Sequence, residues 1–501
     1  MNNSHSHHLK IINLGIDTYR ENIIYMRSDC HVCLSEGFTA LTRVIVNCHD
    51  KSIIATLNVV QSELIKHGEA GLSIEAIKRL NAQAGNVITV SHLQPISSVG
   101  LVRAKIFGKE LTENELEQII SDIAKGHYSN IELAAFITAT AGNQLSSNEI
   151  ISLTKAMVRS GKKLDWNGNY VYDKHCVGGL PGNRTTPIVI SIVAAAGLII
   201  PKTSSRAITS PAGTADTMEV MTNVELTINQ MKDVINKENG CLVWGGSVSL
   251  SPADDILISI EKALDIDSEG QMIASVLSKK AAAGATHVVI DIPVGETAKV
   301  RTLEKAKELK AQFEIVGQKI GLTLKVVITD GTQPVGRGIG PALEAMDVLS
   351  VLRNETDAPM DLKQRALSLA GIVLELSGNA KGVSGANQAA EILSNGIAYK
   401  KFIAICNAQG RFTEPSFASY KQDIISNQSG VVQEIDCRRL AKLAKLAGAP
   451  KSPKAGIFFQ SPLNKKVNHG DVLFTIYAEA KGELDYALDY YKSQPEMINV
   501  K

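Results

Sequence analysis

A glycine-rich stretch from residue 172 to residue 186 contains side chains suited to holding an anion. Lys174 ends a strand-like run, Gly178 and Gly179 follow, and an apolar helix is predicted at 188–196. Backbone N–H groups of such a turn and the positive end of the helix dipole converge on one point. The spacing matches neither a GxxxxGK(S/T) loop nor a GxGxxG fingerprint. The stretch therefore predicts an anion site, or else a turn in which the glycines only reverse the chain.

A second polar stretch runs from residue 202 to residue 216. Its hydroxyl residues surround Arg206 and Gly213, and together they provide dense hydrogen bonding without a nucleophile-and-base pair. The same polarity is typical of a solvated loop. This stretch predicts binding of a polar ligand, or a surface connection.

These two stretches and a third at 275–280 resemble, in order, the motifs of the thymidine phosphorylase family, the second class of nucleoside phosphorylases. The resemblance covers roughly residues 95–490. The AMP phosphorylase branch is the most similar, through the loop 205–210, the run 243–246 and an additional N-terminal segment. The longest motif is met by Ser204, Arg206, Thr209, Gly213, Thr214, Asp216 and Glu219.

The resemblance implies a role for each matching residue. Catalysis would involve Asp267 as proton donor, Lys174 and His175. Inorganic phosphate would meet Lys174, Thr186, Ser204 and Thr214. The nucleoside or nucleotide would meet Gly179, Ser205, Arg206, Ala207, Ile208, Thr209, Ser210, Ser275, Lys279 and Lys299.

Four of these residues also have ordinary structural explanations. Asp267 can protonate a leaving base only if its pKa lies well above about 3.9, and the same residue is a good helix N-cap. His175 can orient phosphate or satisfy a hydrogen bond in the core. Lys279 and Lys299 can hold the base, hold a 5′-phosphate, or remain in solvent.

Two positions depart from the family pattern. Cys176 stands where the family usually has serine, and a thiol is a weaker hydrogen-bond donor than a hydroxyl. Family members that act on thymidine carry an arginine about fifteen residues before the serine matched by Ser275. The stretch 258–261 has no arginine, so this contact to a pyrimidine carbonyl is missing.

Four residues near the N-terminus raise the alternative of a structural zinc site. Cys30, Cys33, Cys48 and His49 form two potential ligand pairs. Both pairs lie near strand-like runs, where cysteine is often a core residue. We expect no metal in the catalytic site.

Composition limits the classes of partner. The 501 residues contain 52 Lys plus Arg and 51 Asp plus Glu, a net charge of +1 that offers no general attraction for nucleic acid polymers or anionic membranes. No apolar run is long enough to span a membrane, and the start lacks a signal region, which predicts a cytoplasmic protein. The seven cysteines are expected to be reduced thiols.

Hydrophobic patterning predicts a mixed α/β fold with several domains. Short apolar runs such as 287–291 and 326–329 are typical of buried parallel strands. Thr112 with Glu115 predicts a capped helix start, and a Lys/Ala/Leu pattern predicts a helix at 438–446. The run 198–200, before the second polar stretch, is strand-like. The predicted parts are a β-rich N-terminal domain (1–92), an all-α lobe (95–162, joined by about 252–282), an α/β phosphate-binding lobe with a central, mostly parallel sheet (165–250 and 284–410), and a C-terminal α+β domain (412–501).

The predicted reaction is reversible phosphorolysis of a pyrimidine nucleoside such as thymidine, giving free base and a pentose 1-phosphate. The alternatives are phosphorolysis of AMP, CMP or UMP and a nucleotide- or anion-binding protein on the same scaffold. Anthranilate phosphoribosyltransferase-like chemistry would need a diphosphate and usually Mg²⁺, and the first glycine loop lacks a suitable acidic pair. Phosphate is expected as co-substrate with no further cofactor. The resemblance implies a homodimer or a higher homo-oligomer.

Overall fold

The computed structural model describes residues 8–19, 21–207, 210–264, 266, 268–378 and 384–501. The chain divides into two compact units, Met1–Ala139 and Thr140–Lys501. Each unit has cores of its own. The finer domain boundaries given above stay predictions.

The first unit contains a closed six-stranded barrel. Its strand order is β1-β5-β2-β4-β3-β6, and β6 closes the barrel by pairing antiparallel with β1. Alternation produces the barrel core, since Val44, Val46 and Cys48 of β3 point inward while their neighbours do not. The elements are β1 (His8–Asn13), β2 (Ile23–Arg27), α1 (His31–Glu36), β3 (Arg43–Cys48), β4 (Lys51–Val60), β5 (Glu69–Leu72), α2 (Ile74–Leu80) and β6 (Val87–His92).

Three helices complete the first unit: α3 (Ser97–Ile106), α4 (Glu113–Ala124) and α5 (Asn130–Ala139). The predicted capping box is confirmed at α4, where Thr112 and Glu115 each bond the other's backbone N–H. The buried face of α4 is apolar at helical spacing.

The second unit contains the predicted parallel strands. They are β7 (Tyr172–Cys176), β8 (Ile200–Ser204), β9 (Gly240–Trp244), β10 (His287–Val294) and β11 (Thr323–Asp330). The order β11-β10-β7 forms one parallel sheet and β8-β9 another, and a parallel bridge between Val171 and Ile199 joins them. All five strands therefore end at the same edge, which is where ligands bind in open α/β sheets.

One boundary differs from the sequence-based expectation. The strand predicted at 198–200 begins only at Ile200 and continues through Ser204, so Lys202 lies in a strand rather than in a loop. Pairing with β9 explains the difference, because Lys202 lies beside Leu242 in the ladder. Tertiary pairing overrode the local polarity.

Helices surround these strands and supply most of the core. Every residue of α7 from Thr185 to Ala194 is buried, and α7 packs against α15 and α17. The helices are α6 (Ser147–Ser160), α7 (Thr185–Ala195), α8 (Thr214–Glu219), α9 (Ile228–Glu238), α10 (Gly245–Val248), α11 (Pro252–Leu264), α12 (Glu269–Ala282), α13 (Leu303–Lys319), α14 (Pro341–Leu352), α15 (Met360–Leu376), α16 (Gly385–Ser394) and α17 (Ile397–Gln409).

The C-terminal segment is α+β, as predicted. Strands β12-β15-β17-β13 form an antiparallel sheet, β16-β14-β18 form a second, and two helices pack with them. Strand β12 (Gly338–Ile339) joins the first sheet from outside the segment by pairing with β15. The elements of the segment are β13 (Tyr420–Ile425), β14 (Gly430–Ile435), α18 (Cys437–Leu446), β15 (Gly456–Phe459), β16 (Lys466–Val467), β17 (Val472–Ala478), α19 (Lys481–Ser493) and β18 (Ile498–Val500). None of the helices that the structure describes is both long and apolar enough to cross a membrane.

Candidate active site

A cavity of about 360 Å³ lies between the ends of β7, β8 and β9 and the helices α11 and α12. We call its side near β7, β8 and the start of α7 the strand end, and its side formed by α11 and α12 the helix end. Most of the residues predicted from sequence line this single cavity. They are Lys174, His175, Gly179, Thr186, Ser204, Ser205, Arg206, Ser210, Thr214, Ser275, Lys279 and Lys299.

The glycine loop after β7 has a backbone that other residues rarely adopt. Gly178, Gly179 and Gly182 have φ values of 92°, 81° and 73°. A Cβ on Gly179 would lie 3.0 Å from the backbone nitrogen of Lys299, so glycine also permits this close approach. The loop leads into α7, whose N-cap residue Arg184 makes no side-chain capping bond. The first amides of α7 are thus left without a side-chain cap, as an anion site requires.

Lys174 lies at the strand end with its side chain fully buried. Its ammonium donates to Thr185 Oγ1 over 2.7 Å and forms no ion pair among the described residues. Burial lowers the pKa of Lys174 below its ordinary value. A buried ammonium without a paired carboxylate is costly, and an anionic ligand would relieve that cost.

Hydroxyl groups without partners mark the same cavity. The Oγ atoms of Ser204 and Ser251 are buried and have no hydrogen-bond partner among the described residues. Both serines line the cavity. Such atoms are rare in folded proteins and indicate a missing ligand or water.

Cys176, the departure from the family pattern, takes part in a local bond. Asn183 Nδ2 donates to its Sγ over 3.2 Å. Burial raises the pKa of the Cys176 thiol to about 12, so the sulfur is neutral near neutral pH. Cys176 therefore adds no charge to the strand end.

Arg206 shapes the second polar loop through ion pairs inside the protein. Its guanidinium bonds Glu219 and, over 3.0 Å, Glu225, and it stacks 4.7 Å above the Trp244 ring. Asp216 fixes the same loop by accepting from the backbone N–H of Ala207 and Gly213. The charge of Arg206 is thus compensated by carboxylates, although the side chain lines the cavity.

Asp173 joins two lysines beneath the strand end. Its Oδ1 accepts from Lys202 Nζ at 3.1 Å and from the Lys174 backbone N–H at 2.7 Å, and its Oδ2 lies 2.7 Å from Lys280 Nζ. Burial alone would raise the pKa of Asp173, but the two ammonium groups outweigh it and hold that pKa below its ordinary value. Burial, together with these lysines, lowers the pKa of His175 well below its ordinary value, so the imidazole is neutral near neutral pH.

The helix end has a different charge pattern. Lys279 of α12 lies 2.6 Å from Asp254 of α11, and Asp255 and Glu261 are close enough to act on it electrostatically. Burial alone would lower the pKa of Lys279, but these carboxylates outweigh it and raise the pKa. Ile258 and Glu261 line the cavity where thymidine-specific relatives are expected to carry arginine.

Four predicted residues are not among those that the structure places in the cavity lining, three of them because they are not described. Ile208, Thr209 and Asp267 lie outside the described residues. Ala207 lies beside a neighbouring cavity of about 1120 Å³. The N-cap of α12 is Ser268, and its hydroxyl donates to the Thr140 carbonyl over 2.9 Å rather than capping the helix.

The barrel cysteines form no metal site among the described residues. Cys30, Cys33 and Cys48 are buried in the barrel core, and Cys30 Sγ accepts from the Cys33 N–H at the start of α1. No group of three or more His, Cys, Asp or Glu side chains in the described part of the chain could hold a metal ion. The core interpretation therefore fits these three thiols.

Sequence reasoning gave no role to several residues that the fold brings to the cavity. Asp173 and Lys280 were parts of recognised motifs, and Lys202 opened the second loop, but nothing in their spacing predicted their shared contact. Ser251 carried no local signal.

Comparisons with known proteins agree with this geometry. The helical bundle domain of the glycosyl transferase family matches residues 99–161, and the a/b domain of that family matches residues 168–399. The C-terminal domain of pyrimidine nucleoside phosphorylases matches residues 431–497. A crystal structure of anthranilate phosphoribosyltransferase from Thermus thermophilus has a TM-score of 0.52 at 18% identity, covering 62% of this chain and 98% of that one, and shows the fold alone. The fold and the site together define a pentosyltransferase of glycosyl transferase family 3.

Full-length relatives narrow the assignment. A protein of Hahella chejuensis, provisionally named thymidine phosphorylase, is 54% identical over 97% of this chain and 97% of its own length. Relatives with the same provisional name in Legionella pneumophila strain Paris and Maricaulis maris are 54% and 55% identical, over 98% and 97% of this chain and 95% and 94% of their own lengths. The chain belongs to the thymidine phosphorylase family.

Proposed function

We propose that this enzyme catalyses the reversible phosphorolysis of a pyrimidine nucleoside such as thymidine, giving free base and a pentose 1-phosphate. The observation that carries the proposal is the buried ammonium of Lys174, which forms no ion pair among the described residues, in the same cavity as the partnerless Ser204 hydroxyl. Phosphate supplies both the negative charge and the hydrogen-bond acceptors that these groups lack. Relatives that share about half of the sequence carry the name thymidine phosphorylase.

The two ends of the cavity fit the two halves of the reaction. Phosphate held at the strand end by Lys174, Thr186, Ser204 and Thr214 attacks the anomeric carbon of the sugar. The bond from that carbon to the base nitrogen breaks on the opposite face, so the configuration inverts. The base leaves as an anion or takes a proton from a donor at the helix end, for which Asp267 remains our candidate. Positioning replaces covalent catalysis, because phosphate is itself the nucleophile.

A nucleoside 5′-monophosphate is the second candidate substrate. The lining residues Ile258 and Glu261 provide no guanidinium for a pyrimidine carbonyl, which weakens the case for thymidine. Lys299 lies against Gly179 on the cavity wall, where it can meet a 5′-phosphate. The products would be free base and ribose 1,5-bisphosphate.

A panel of substrates distinguishes these candidates. Thymidine, uridine, AMP, CMP and UMP are each incubated with inorganic phosphate, and released base is measured by chromatography. Release from thymidine or uridine supports the first candidate, and release from a monophosphate alone supports the second. Phosphate binding with no release from any substrate would refute phosphorolysis and leave an anion-binding protein.

We also propose that phosphate is the only co-substrate and that no metal or organic cofactor takes part. The cationic groups of the strand end already compensate the phosphate charge. Dialysis against a chelator should leave the rate unchanged, and a loss restored by added metal would refute this part of the proposal.

Finally, we propose a homodimer or higher homo-oligomer, as the family resemblance implies. Light scattering of the purified full chain measures its mass directly. A monomer at working concentrations would contradict the proposal.

A further inference from the structure

Asp173 contacts all three buried lysines of the strand end. It accepts from the Lys202 ammonium and the Lys174 backbone N–H and lies within ion-pair distance of Lys280. The side chains of Asp173, Lys202 and Lys280 are 2%, 5% and 3% exposed, so water screens these contacts little. The Asp173 carboxylate therefore attracts the ammonium groups of Lys202 and Lys280 strongly.

The three lysines come from three different elements. Lys174 is on β7, Lys202 on β8 and Lys280 on α12. Their side chains all line the cavity, whereas Asp173 itself does not. Asp173 thus lies behind the three lysines that line the cavity and contacts each of them.

Helix α12 also carries residues of the helix end. Ser275 and Lys279 precede Lys280 on this helix and line the same cavity. Because Lys280 is tied to Asp173, a buried ion pair connects α12 to β7.

We propose that Asp173 is a positioning residue, which sets the placement of Lys202 and Lys280 and thereby controls phosphate binding at the strand end. This inference rests on the proposed phosphorolysis. Asp173 touches neither phosphate nor sugar, and its effect passes through the lysines.

The surrounding charges give the proposal a pH signature. Burial lowers the pKa of Lys280 to about 7, and Asp173 opposes that effect while Lys202 adds to it. His175 on β7 and Cys241 on β9 also interact electrostatically with members of this cluster, and Lys174 and Lys279 act on His175. Removing the carboxylate should therefore make Lys280 lose its proton at a lower pH than in the wild type.

The test compares Asp173→Asn with the wild-type full-length enzyme. We expect the KM for phosphate to rise roughly tenfold to a hundredfold, with the KM for the nucleoside nearly unchanged. The deficit in kcat/KM for phosphate should grow as the pH rises toward about 7, the pKa of Lys280 in the wild type, and should stay constant above it. Asp173→Glu should restore part of the affinity.

Asp254→Asn is a matched control, because it breaks the buried Asp–Lys pair at the helix end of the same cavity. It should change the KM for the nucleoside and leave the pH profile for phosphate in its wild-type form. An Asp173→Asn variant with a lower melting temperature but wild-type phosphate kinetics and pH profile would overturn the proposal.

Two further measurements keep the test decisive. If Asp173→Asn fails to fold, Lys280→Met removes the same ion pair without leaving a buried lysine unpaired, and it should flatten the pH dependence of kcat/KM for phosphate near neutrality. An unchanged pH dependence would overturn the proposal.

Calorimetric titration with inorganic phosphate gives a readout that needs no turnover. Absence of base release by the wild type refutes phosphorolysis, whereas equal phosphate affinities of wild type and Asp173→Asn refute the role of Asp173.

Discussion

At the strand end of the cavity, the ammonium groups of Lys202 and Lys280 share the Asp173 carboxylate, and that of Lys174 forms no ion pair among the described residues. At the helix end, Lys279 is paired with Asp254 and lies near further carboxylates. The strand end has more lysine charge than carboxylate charge, whereas the helix end has carboxylates that balance its lysine. This difference indicates that a small anion and a neutral base need different electrostatic surroundings. The anion binds where positive charge is uncompensated, and the base binds where hydrogen-bond donors and acceptors are already balanced.

The two ends also differ in how the chain builds them. The strand end combines a glycine loop, a helix start and neighbouring parallel strands, so its backbone is fixed by ladders and a fully buried helix. The helix end consists of side chains from α11 and α12. Side chains on helices can change without disturbing a backbone cradle, which allows relatives to share phosphate chemistry and differ in the base that they accept.

The largest expected effect is a loss of phosphate use when the strand end is changed. Lys174→Ala removes a buried side-chain charge at the strand end that has no ion pair among the described residues, and should lower kcat/KM for phosphate by about 10²- to 10³-fold. Initial rates at varied phosphate concentration measure it. Lys421→Ala on β13, an exposed lysine, serves as the control and should behave as wild type. Undiminished base release by Lys174→Ala would break the comparison.

A smaller effect is expected at the helix end. Ser275→Ala removes one cavity-lining hydroxyl and should raise the KM for the nucleoside about five- to tenfold, since one hydrogen bond contributes about 1 kcal/mol. The KM for phosphate should not change. Ser278→Ala is the matched control, because Ser278 lies one turn further along α12 and faces Met157 in the core. If both variants behave alike, Ser275 does not meet the substrate.

The neutral His175 at the strand end should make the free energy of unfolding depend on pH. Its folded-state pKa lies below the unfolded value, so the unfolded state binds a proton first as pH falls and stability drops below about pH 6.5. The slope cannot exceed about 1.4 kcal/mol per pH unit for one group. Thermal melts from about pH 7 to about pH 5 should show a steeper decline for wild type than for His175→Asn. Equal slopes would show that His175 does not titrate as its surroundings require; His469→Gln, an exposed substitution, should keep the wild-type slope.

The smallest effect concerns the departure at Cys176. Cys176→Ser places a stronger donor in the glycine loop and should lower the KM for phosphate about two- to fivefold. The KM for the nucleoside provides the internal control. A higher KM for phosphate would mean that the bond from Asn183 to the sulfur matters more than donation to the anion.

Local patterns determined much of the architecture. The capping box at Thr112, the parallel strands β10 and β11, and the helix at 438–446 follow from side-chain periodicity and capping chemistry, and each is confirmed. Burial is confirmed for β10 but not for β11, which is the end strand of its sheet and buries only Val326. The glycine loop was also readable, because positive φ values demand glycine wherever the chain turns this sharply. These features depend on residues that lie close together in the chain.

The partners of the charged groups were decided only by the tertiary structure. Asp173 meets Lys202 and Lys280, which lie far along the chain, and Arg206 meets Glu219 and Glu225 rather than an anion. Burial and pairing set the pKa of each group, and neither can be read from neighbouring residues. The sequence by itself determined which elements form and which glycine-rich loop is suited to binding an anion. Only the packing of β7, β8 and α12 decided which lysines share a carboxylate and which one faces the ligand alone, because electrostatic energy depends on distance and dielectric surroundings rather than on order in the chain.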